Sequence, residues 1–314
     1  MTPAPAANLI KKDYLSVPDL SHDELHHLLD LATAMKGDRA AGRVGRQPLK
    51  HKHVALLFEK PSLRTRTTFV VAIRELGGEV IELPVDSLGG RETAADIARN
   101  LERWVAGVVV RTFAHARVAE FARAATRMHI VNALTNEEHP CQALADMLTL
   151  QERLGSLKGR TLAYIGDGNN VATSLAQASA MLGLNMKLAS PAGFELDPII
   201  VEECRKLSRD GATIEITNDP TDAVEGADAV YTDVWASMGQ EAEIDERARI
   251  FQPYQVNEHL MAAAGAGAMF MHCLPAHRGA EVTDAVMDSP QSMVFEQAEN
   301  RLHTQKALLA MLIG

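Results

Sequence analysis

The stretch VALLFEKPSLRTRTTFVVAIRELGGEVIEL, residues 54–83, decides the fold. Its first five residues are an unbroken apolar run, which reads as a strand buried on both faces. A helical pattern follows over 62–76 and is stopped by Gly77 and Gly78. Residues 80–83 then read as a second strand. Strand, helix and strand within about thirty residues is the pattern of two parallel strands joined by a crossover helix.

Working outward, the alternation continues in both directions. Upstream, Ser21 and Glu24 form an S-x-x-E capping box. Leu25, Leu28, Leu29, Ala32 and Met35 keep helical spacing behind it, and Gly37 is expected to stop that helix. Downstream, the pattern predicts a helix over 93–104, a strand over 107–111, a helix over 116–126 and a strand over 129–133. Pro140 suits the first turn of a helix running to about Leu154. A joint is expected at 155–159. After it come a strand over 161–165, a helix over 170–182, a strand over 186–189 and a helix opened by Asp197 and Pro198. Strands over 212–216, 229–232 and 268–273 follow, and 297–313 reads as an amphipathic helix. The expected class is α/β, with two doubly wound parallel-sheet domains, 1–150 and 151–296. A C-terminal helix of about 297–314 packs back on the first, and the active site lies in the cleft between them.

Composition sets limits on function. With 314 residues, 46% hydrophobic and 23% charged, the chain can bury a core in each half. Thirty-one basic against 41 acidic residues gives a net charge of −10, the wrong sign for a nucleic-acid binder. Aromatic residues are only 4%, which argues against a base-stacking surface. Cys141, Cys204 and Cys273 form no C-x-x-C pair, which reads as a reduced, cytoplasmic chain. No secretory signal is expected, and no apolar run approaches the ~18 residues of a membrane span.

The chemically rich residues are clustered. FEKPSLRTR (58–66), VRTFAH (110–115), NALTNEEHPCQ (132–142), IGDGNN (165–170), TDVWASMGQE (232–241) and HCLPAHRG (272–279) each follow the carboxyl end of an expected strand. Ligands bind at that edge of an open α/β sheet. Ser62 to Arg66 opens a helix, where free N–H groups, hydroxyls and the Arg64 fork suit a phosphate; a capped helix with solvated arginines is the alternative. Arg111 emerges from a buried strand and needs either a ligand or a carboxylate partner. His139 could donate to a carbonyl oxygen and Gln142 could contact an amide, or His139 could simply cap its helix. Gly166-Asp167-Gly168 starts like a dinucleotide fingerprint. Its third glycine position is Val171, and the next strand runs into Ser190-Pro191 with no acidic residue, so nicotinamide binding is disfavoured. Asn169 and Asn170 could instead hold a small zwitterion. Asp233 could hold an ammonium group or cap a turn. Cys273 at a strand end reads most simply as a buried structural thiol. Nothing matches zinc-ligand spacing, and no G-x-S-x-G elbow is present.

Together these segments resemble the aspartate/ornithine carbamoyltransferase family, in the family's order and over nearly the whole chain. The phosphate motif stands here as Ser62-Leu63-Arg64-Thr65 and the His-Pro-x-Gln motif as His139-Pro140-Cys141-Gln142. An amino-acid loop stands as Asp233 followed by Ser237-Met238-Gly239. His272-Cys273-Leu274-Pro275 has the form of the ornithine members, whereas aspartate members typically have Pro in the Cys position.

The resemblance implies transfer of the carbamoyl group of carbamoyl phosphate to the side-chain amine of L-ornithine, without metal or organic cofactor. Another amine, such as putrescine, is the alternative acceptor. It implies that Ser62, Leu63, Arg64, Thr65 and Arg111 hold the phosphate end. His139, Gln142, Cys273, Leu274 and Arg301 meet the carbamoyl end. Asn170, Asp233, Ser237 and Met238 hold ornithine, and Arg111, His139, Asp233 and Cys273 take part in catalysis. Many relatives have Thr at the position of Leu63; the backbone N–H survives the change. The position from which a neighbouring subunit reaches the phosphate falls at Ser87, a shorter side chain than the family's Gln or His. A homotrimer or a larger assembly of trimers is implied, with no nucleic-acid or membrane partner.

Overall fold

The computed structural model describes residues 9, 11–84, 92–236 and 241–314. The chain divides into two compact units. One holds the described residues up to Leu148 together with Glu299–Gly314; the other is Thr149–Ala298.

The first unit runs α1 (His22–Ala40), β1 (His53–Phe58), α2 (Leu63–Glu75), β2 (Glu79–Glu82), α3 (Ala94–Leu101), β3 (Gly107–Arg111), α4 (His115–Ala124) and β4 (His129–Leu134), then enters α5 (Pro140–Leu154). Its sheet has the order β2-β1-β3-β4, every pair parallel. Strands β1 and β3 are apolar and buried almost throughout, as helices on both faces require. Val108, Val110, Leu57 and Ile130 pack with Val118 and Phe121 of α4 and Leu101 of α3 into one cluster. Each such side chain contributes roughly 1.5–3 kcal/mol by leaving water.

The second unit contains β5 (Thr161–Ile165), α6 (Asn170–Met181), β6 (Asn185–Ala189), α7 (Pro198–Leu207), β7 (Ile214–Thr217), α8 (Pro220–Val224) and β8 (Ala229–Thr232). It continues through α9 (Ile244–Phe251), α10 (Glu258–Ala264), β9 (Met269–His272) and α11 (Asp284–Met287) into α12 (Val294–Leu312), which ends in the first unit. Its sheet order is β7-β6-β5-β8-β9, again all parallel. Both sheets are therefore doubly wound. Each has a switch point where the strand order reverses: between β1 and β3 in one, between β5 and β8 in the other.

Three local readings of the sequence are corrected. Gly37 does not stop α1, which continues to Ala40; the chain turns at Gly42, whose φ of 65° is a left-handed cap that costs glycine nothing. Helices α8, α9, α10 and α11 add to the expected elements; all are short, the first three standing between strands and α11 between β9 and α12. The C-terminal helix is not amphipathic: every residue over 300–313 is buried, the polar Asn300, Arg301, His303, Thr304, Gln305 and Lys306 included. Lys306 reaches Glu75 at 2.7 Å, and Asn300 accepts from Lys36 at 2.8 Å. Buried polar groups of this kind hide an interior helix from a hydrophobicity pattern.

Two glycines give opposite predictions. Gly37 lies inside a helix, and a Cβ added there would have nothing within 4 Å. Gly37→Ala should stabilise by about 0.5–1 kcal/mol. At Gly168 a Cβ would run into the backbone of Leu196 and, at 2.5 Å, that of Glu195. Gly168→Ala should destabilise by about 1–3 kcal/mol. Thermal melts of the two variants should move in opposite directions.

Candidate active site

In the first unit the switch point brings together the loop entering α2 and the end of β3. Ser62 is the N-cap of α2, extended at φ −160°, and its side chain makes no capping bond. The first-turn N–H groups are thus not capped from within, which is the arrangement that accepts an anion. Leu63 is exposed, Arg64 is half-buried and Thr65 is buried. Arg301 of α12, 236 residues further on, donates an N–H to Thr65 Oγ1. Since that oxygen accepts from Arg301, the Thr65 hydroxyl hydrogen is left to donate elsewhere.

Arg111 ends β3 and is buried. Its surroundings are cationic. Buried Lys60 donates to Asn136 Oδ1 at 2.7 Å and lies 4.5 Å from the centre of the Phe113 ring. Burial and then Arg111 lower the Lys60 pKa. His139, immediately before α5, is held well below the usual imidazole value by burial and by Arg301 and Arg111. It is therefore neutral at pH 7 and offers one donor and one acceptor nitrogen. Gln142 lies in the first turn of α5 and donates Nε2–H to Asp146 Oδ1 at 2.8 Å. That bond fixes the amide. Its buried Oε1 has no partner among the described residues, which leaves an oriented acceptor for a ligand N–H. Cys141 is different. Burial pushes its thiol up to about 12, and it donates to the Asn132 carbonyl at 3.4 Å, which makes it a packed side chain.

In the second unit the loop after β5 carries Gly166 to Asn169, and Asp233 directly follows β8. Asn169 caps α6 by accepting from the Val171 and Ala172 N–H groups. Its Nδ2 donates to Asp233 Oδ2 at 2.9 Å, while Cys273 Sγ donates to Asp233 Oδ1 at 3.0 Å. Asp233 is buried and Cys273 half-buried, so the thiol is part of a polar pair and not merely a packed residue. Asn170 is the first residue of α6 and half-buried. Leu274 has φ 59°, the left-handed region, and donates its N–H to His272 Nδ1 at 2.9 Å. Ser87, Ser237 and Met238 lie outside the described residues.

The ligating atoms of Asp233, His272 and Cys273 lie within 4.8 Å of one another. A metal needs an unshared lone pair from each. In His272, Nδ1 accepts from Leu274, which puts the proton on Nε2, facing Glu281 Oε1 at 3.3 Å. Neither nitrogen has a lone pair left, so this trio does not fit a metal centre. Two residues gain a place here that sequence motifs do not give them. Asp167 lies in a chemically rich segment, but only as part of a glycine pattern. Nothing local marks Arg247, which reaches Asp167 from α9.

Residues 12–152 match the carbamoyl-P binding domain of the aspartate/ornithine carbamoyltransferase family, and residues 158–312 match its Asp/Orn binding domain. The chain is 50% identical over 305 residues to an ornithine carbamoyltransferase of Anoxybacillus flavithermus, with 96% of each chain covered. It is 51% identical over 304 residues to one of Thermosynechococcus vestitus, again with 96% of each covered. The solved ornithine carbamoyltransferase of Pyrococcus furiosus superposes with a TM-score of 0.94 at 44% identity, covering 99% of both chains. That of Thermus thermophilus gives 0.87 at 44%, covering 97% of this chain and all of its own. Among the described residues no helix is long and apolar enough to cross a membrane.

A neutral His139 carries a pH consequence. Its folded pKa is depressed, so below about pH 6.5 the unfolded chain takes up a proton that the folded one refuses, and stability falls as pH falls through that point. The imidazole signals that vanish in His139→Gln should not shift between pH 8 and 6. A titration centred near 6.5 would show a solvated, chargeable ring.

Proposed function

The chain belongs to the aspartate/ornithine carbamoyltransferase family and is a carbamoyltransferase, and from that premise we propose how its residues divide the reaction. Carbamoyl phosphate and L-ornithine give L-citrulline and phosphate. Putrescine is not favoured as acceptor, since the relatives at about half identity over nearly the full chain are named for ornithine. The observation that carries the assignment of roles is the buried cationic group of the first unit. Burial, Arg301 and Arg111 keep the His139 imidazole neutral, burial and Arg111 act on Lys60, and the start of α2 is uncapped.

The phosphate takes the first-turn N–H groups of α2, with Ser62, Leu63 and Thr65 supplying backbone donors and Arg64 and Arg111 supplying charge. Its two negative charges offset the repulsion among the buried cations. The carbamoyl oxygen gains negative charge as the tetrahedral transition state forms. Arg111, His139 and the Thr65 hydroxyl are its donors, each worth roughly 3 kcal/mol when aimed at the developing oxyanion. Arg301 turns the Thr65 hydroxyl toward that task. Gln142 Oε1 and the Leu274 carbonyl accept from the carbamoyl NH2 group. His139 acts as a neutral donor and needs no proton of its own to give away.

Ornithine is held by Asn170, Asp233, Ser237 and Met238. A lysine-like amine has a pKa near ~10.4, so at pH 7 about one molecule in 2,500 is neutral, a selection costing ~4.6 kcal/mol. Removal from water beside cationic groups lowers that cost. The Cys273–Asp233 pair is the proton acceptor, and the departing phosphate takes up the final proton. Carbamoyl phosphate is already activated, so the chemistry calls on no cofactor. Three cysteines with free thiols support a cytoplasmic location. A homotrimer, with Ser87 at the family's cross-subunit position, completes the reading.

Citrulline formation with ornithine, putrescine and aspartate side by side tests the acceptor. Only ornithine should turn over efficiently, at a rate rising about tenfold per pH unit from pH 6 toward 9 while chemistry limits it. A flat profile counts against attack by the neutral amine. Arg64→Ala should weaken carbamoyl phosphate binding by roughly 30- to 150-fold, or about 2–3 kcal/mol, with the melting temperature little changed. Unchanged binding by calorimetry would remove the phosphate assignment.

A further inference from the structure

Arg247 of α9 belongs to none of the motifs, yet it is buried. Its Nε donates to Glu243 Oε2 at 2.8 Å. One Nη donates both to Asp167 Oδ2 at 2.7 Å and to the Trp235 carbonyl at 2.9 Å. The guanidinium lies 5.0 Å from the centre of the Phe194 ring and 5.9 Å from that of Phe251. One side chain thus joins the loop after β5, the chain leaving β8 and the start of α9.

The joined residues bear on Asp233. Asp167 precedes Asn169 by two positions, and Asn169 N–H donates to the Asp167 carbonyl at 2.7 Å. Asn169 in turn donates to Asp233. Trp235 follows Asp233 by two positions. The Asp167 and Asp233 carboxylates repel each other, and burial raises the Asp167 pKa while Arg247 opposes that rise. The negative charge of Asp233 adds to the rise that burial imposes on Asp167, and Arg247 is the cation that opposes both.

We infer that Arg247 is a positioning residue for the amino-acid substrate. It neutralises Asp167 and ties down the Trp235 carbonyl, so that Asp233 is the carboxylate presented to the substrate's ammonium group. Arg247 itself touches no substrate. The inference rests on the reading of Asp233 as an ornithine-binding residue.

Steady-state kinetics at saturating carbamoyl phosphate separate the possibilities. Arg247→Met should raise the ornithine KM by about tenfold or more with kcat changed less than about threefold, and leave carbamoyl phosphate binding as it was. Adding Asp167→Asn removes the unbalanced charge and should bring KM back to within about threefold of the starting protein. A loss of packing alone would not be repaired by that second change. Arg247→Lys keeps a positive charge beside Asp167, which is the part of the role that charge alone carries; it serves if the Met variant does not fold, and should hold KM within about threefold. An ornithine KM unmoved in Arg247→Met, no recovery on adding Asp167→Asn, or a Lys variant with KM raised about tenfold or more each overturns the inference. Asp233→Asn separates the two readings: if it leaves the ornithine KM unchanged, the ornithine assignment itself fails. If it raises KM and Arg247→Met does not, only the role of Arg247 fails.

Discussion

Lys60, Arg111 and Arg301 are cations buried in the first unit. The fields of both arginines reach His139, and that of Arg111 reaches Lys60. Each loses hydration and neighbouring charges repel, so the arrangement costs folding energy. A dianion reverses the sign of that cost. Much of the unit can be understood as the means of holding these charges ready. Strand β3 delivers Arg111 from an apolar interior, and the uncapped turn of α2 adds backbone dipoles of the same sign. Helix α12 brings Arg301 from the far end of the chain to Thr65. Burying α12 on all faces from Asn300 onward is what lets that arginine arrive with its position fixed.

The strand ends were legible because parallel strands covered by helices on both faces must be continuously apolar, and polar residues reappear where the cover stops. The strands Gly107–Arg111, Thr161–Ile165 and Ala229–Thr232 are recovered residue for residue. The six chemically rich segments could be found for the same reason. Gly37 misled because a single glycine costs a helix only about 1 kcal/mol, less than the residues around it return. Helix α12 misled because its polar residues are satisfied by partners far away in sequence, such as Glu75 and Lys36. Arg247 was invisible because its meaning lies in which loops it joins, and sequence spacing does not report that. At the proposed anion site, the neutrality of His139 follows first from burial and then from Arg301 and Arg111, which only the fold places beside it.

Net charge says little about either site. The chain carries −10 overall, yet the first unit gathers buried positive charge and the second gathers Asp167 and Asp233. That division matches the substrates' needs. An acyl phosphate dianion is stabilised by fixed cations, whereas an amino acid that carries an ammonium group is held by a carboxylate. Excess negative charge near the reacting amine would favour its protonated form and work against attack. On the proposed roles, compensating Asp167 while leaving Asp233 available would keep the acidic charge to the amount that recognition requires.

Leu274 shows what the second unit commits to geometry. A leucine at φ 59° is strained by roughly 1–3 kcal/mol, and such strain persists only where the surroundings over-determine it. Here they do. The Leu274 N–H is held by His272 Nδ1, and the other ring nitrogen is turned to the fully buried Glu281. The His272 N–H is held by Gln297 Oε1 at 3.0 Å, and Gln297 Nε2 donates to Tyr231 Oη at 3.1 Å. A histidine in a reactive segment is ordinarily a candidate acid, base or ligand, but both nitrogens of His272 are committed to this network. Its chemistry is used up in holding a backbone conformation. The groups of the segment left to serve the proposed chemistry are therefore its neighbours: the Cys273 thiol, which points its proton at Asp233, and the peptide of Leu274 that the network holds in place.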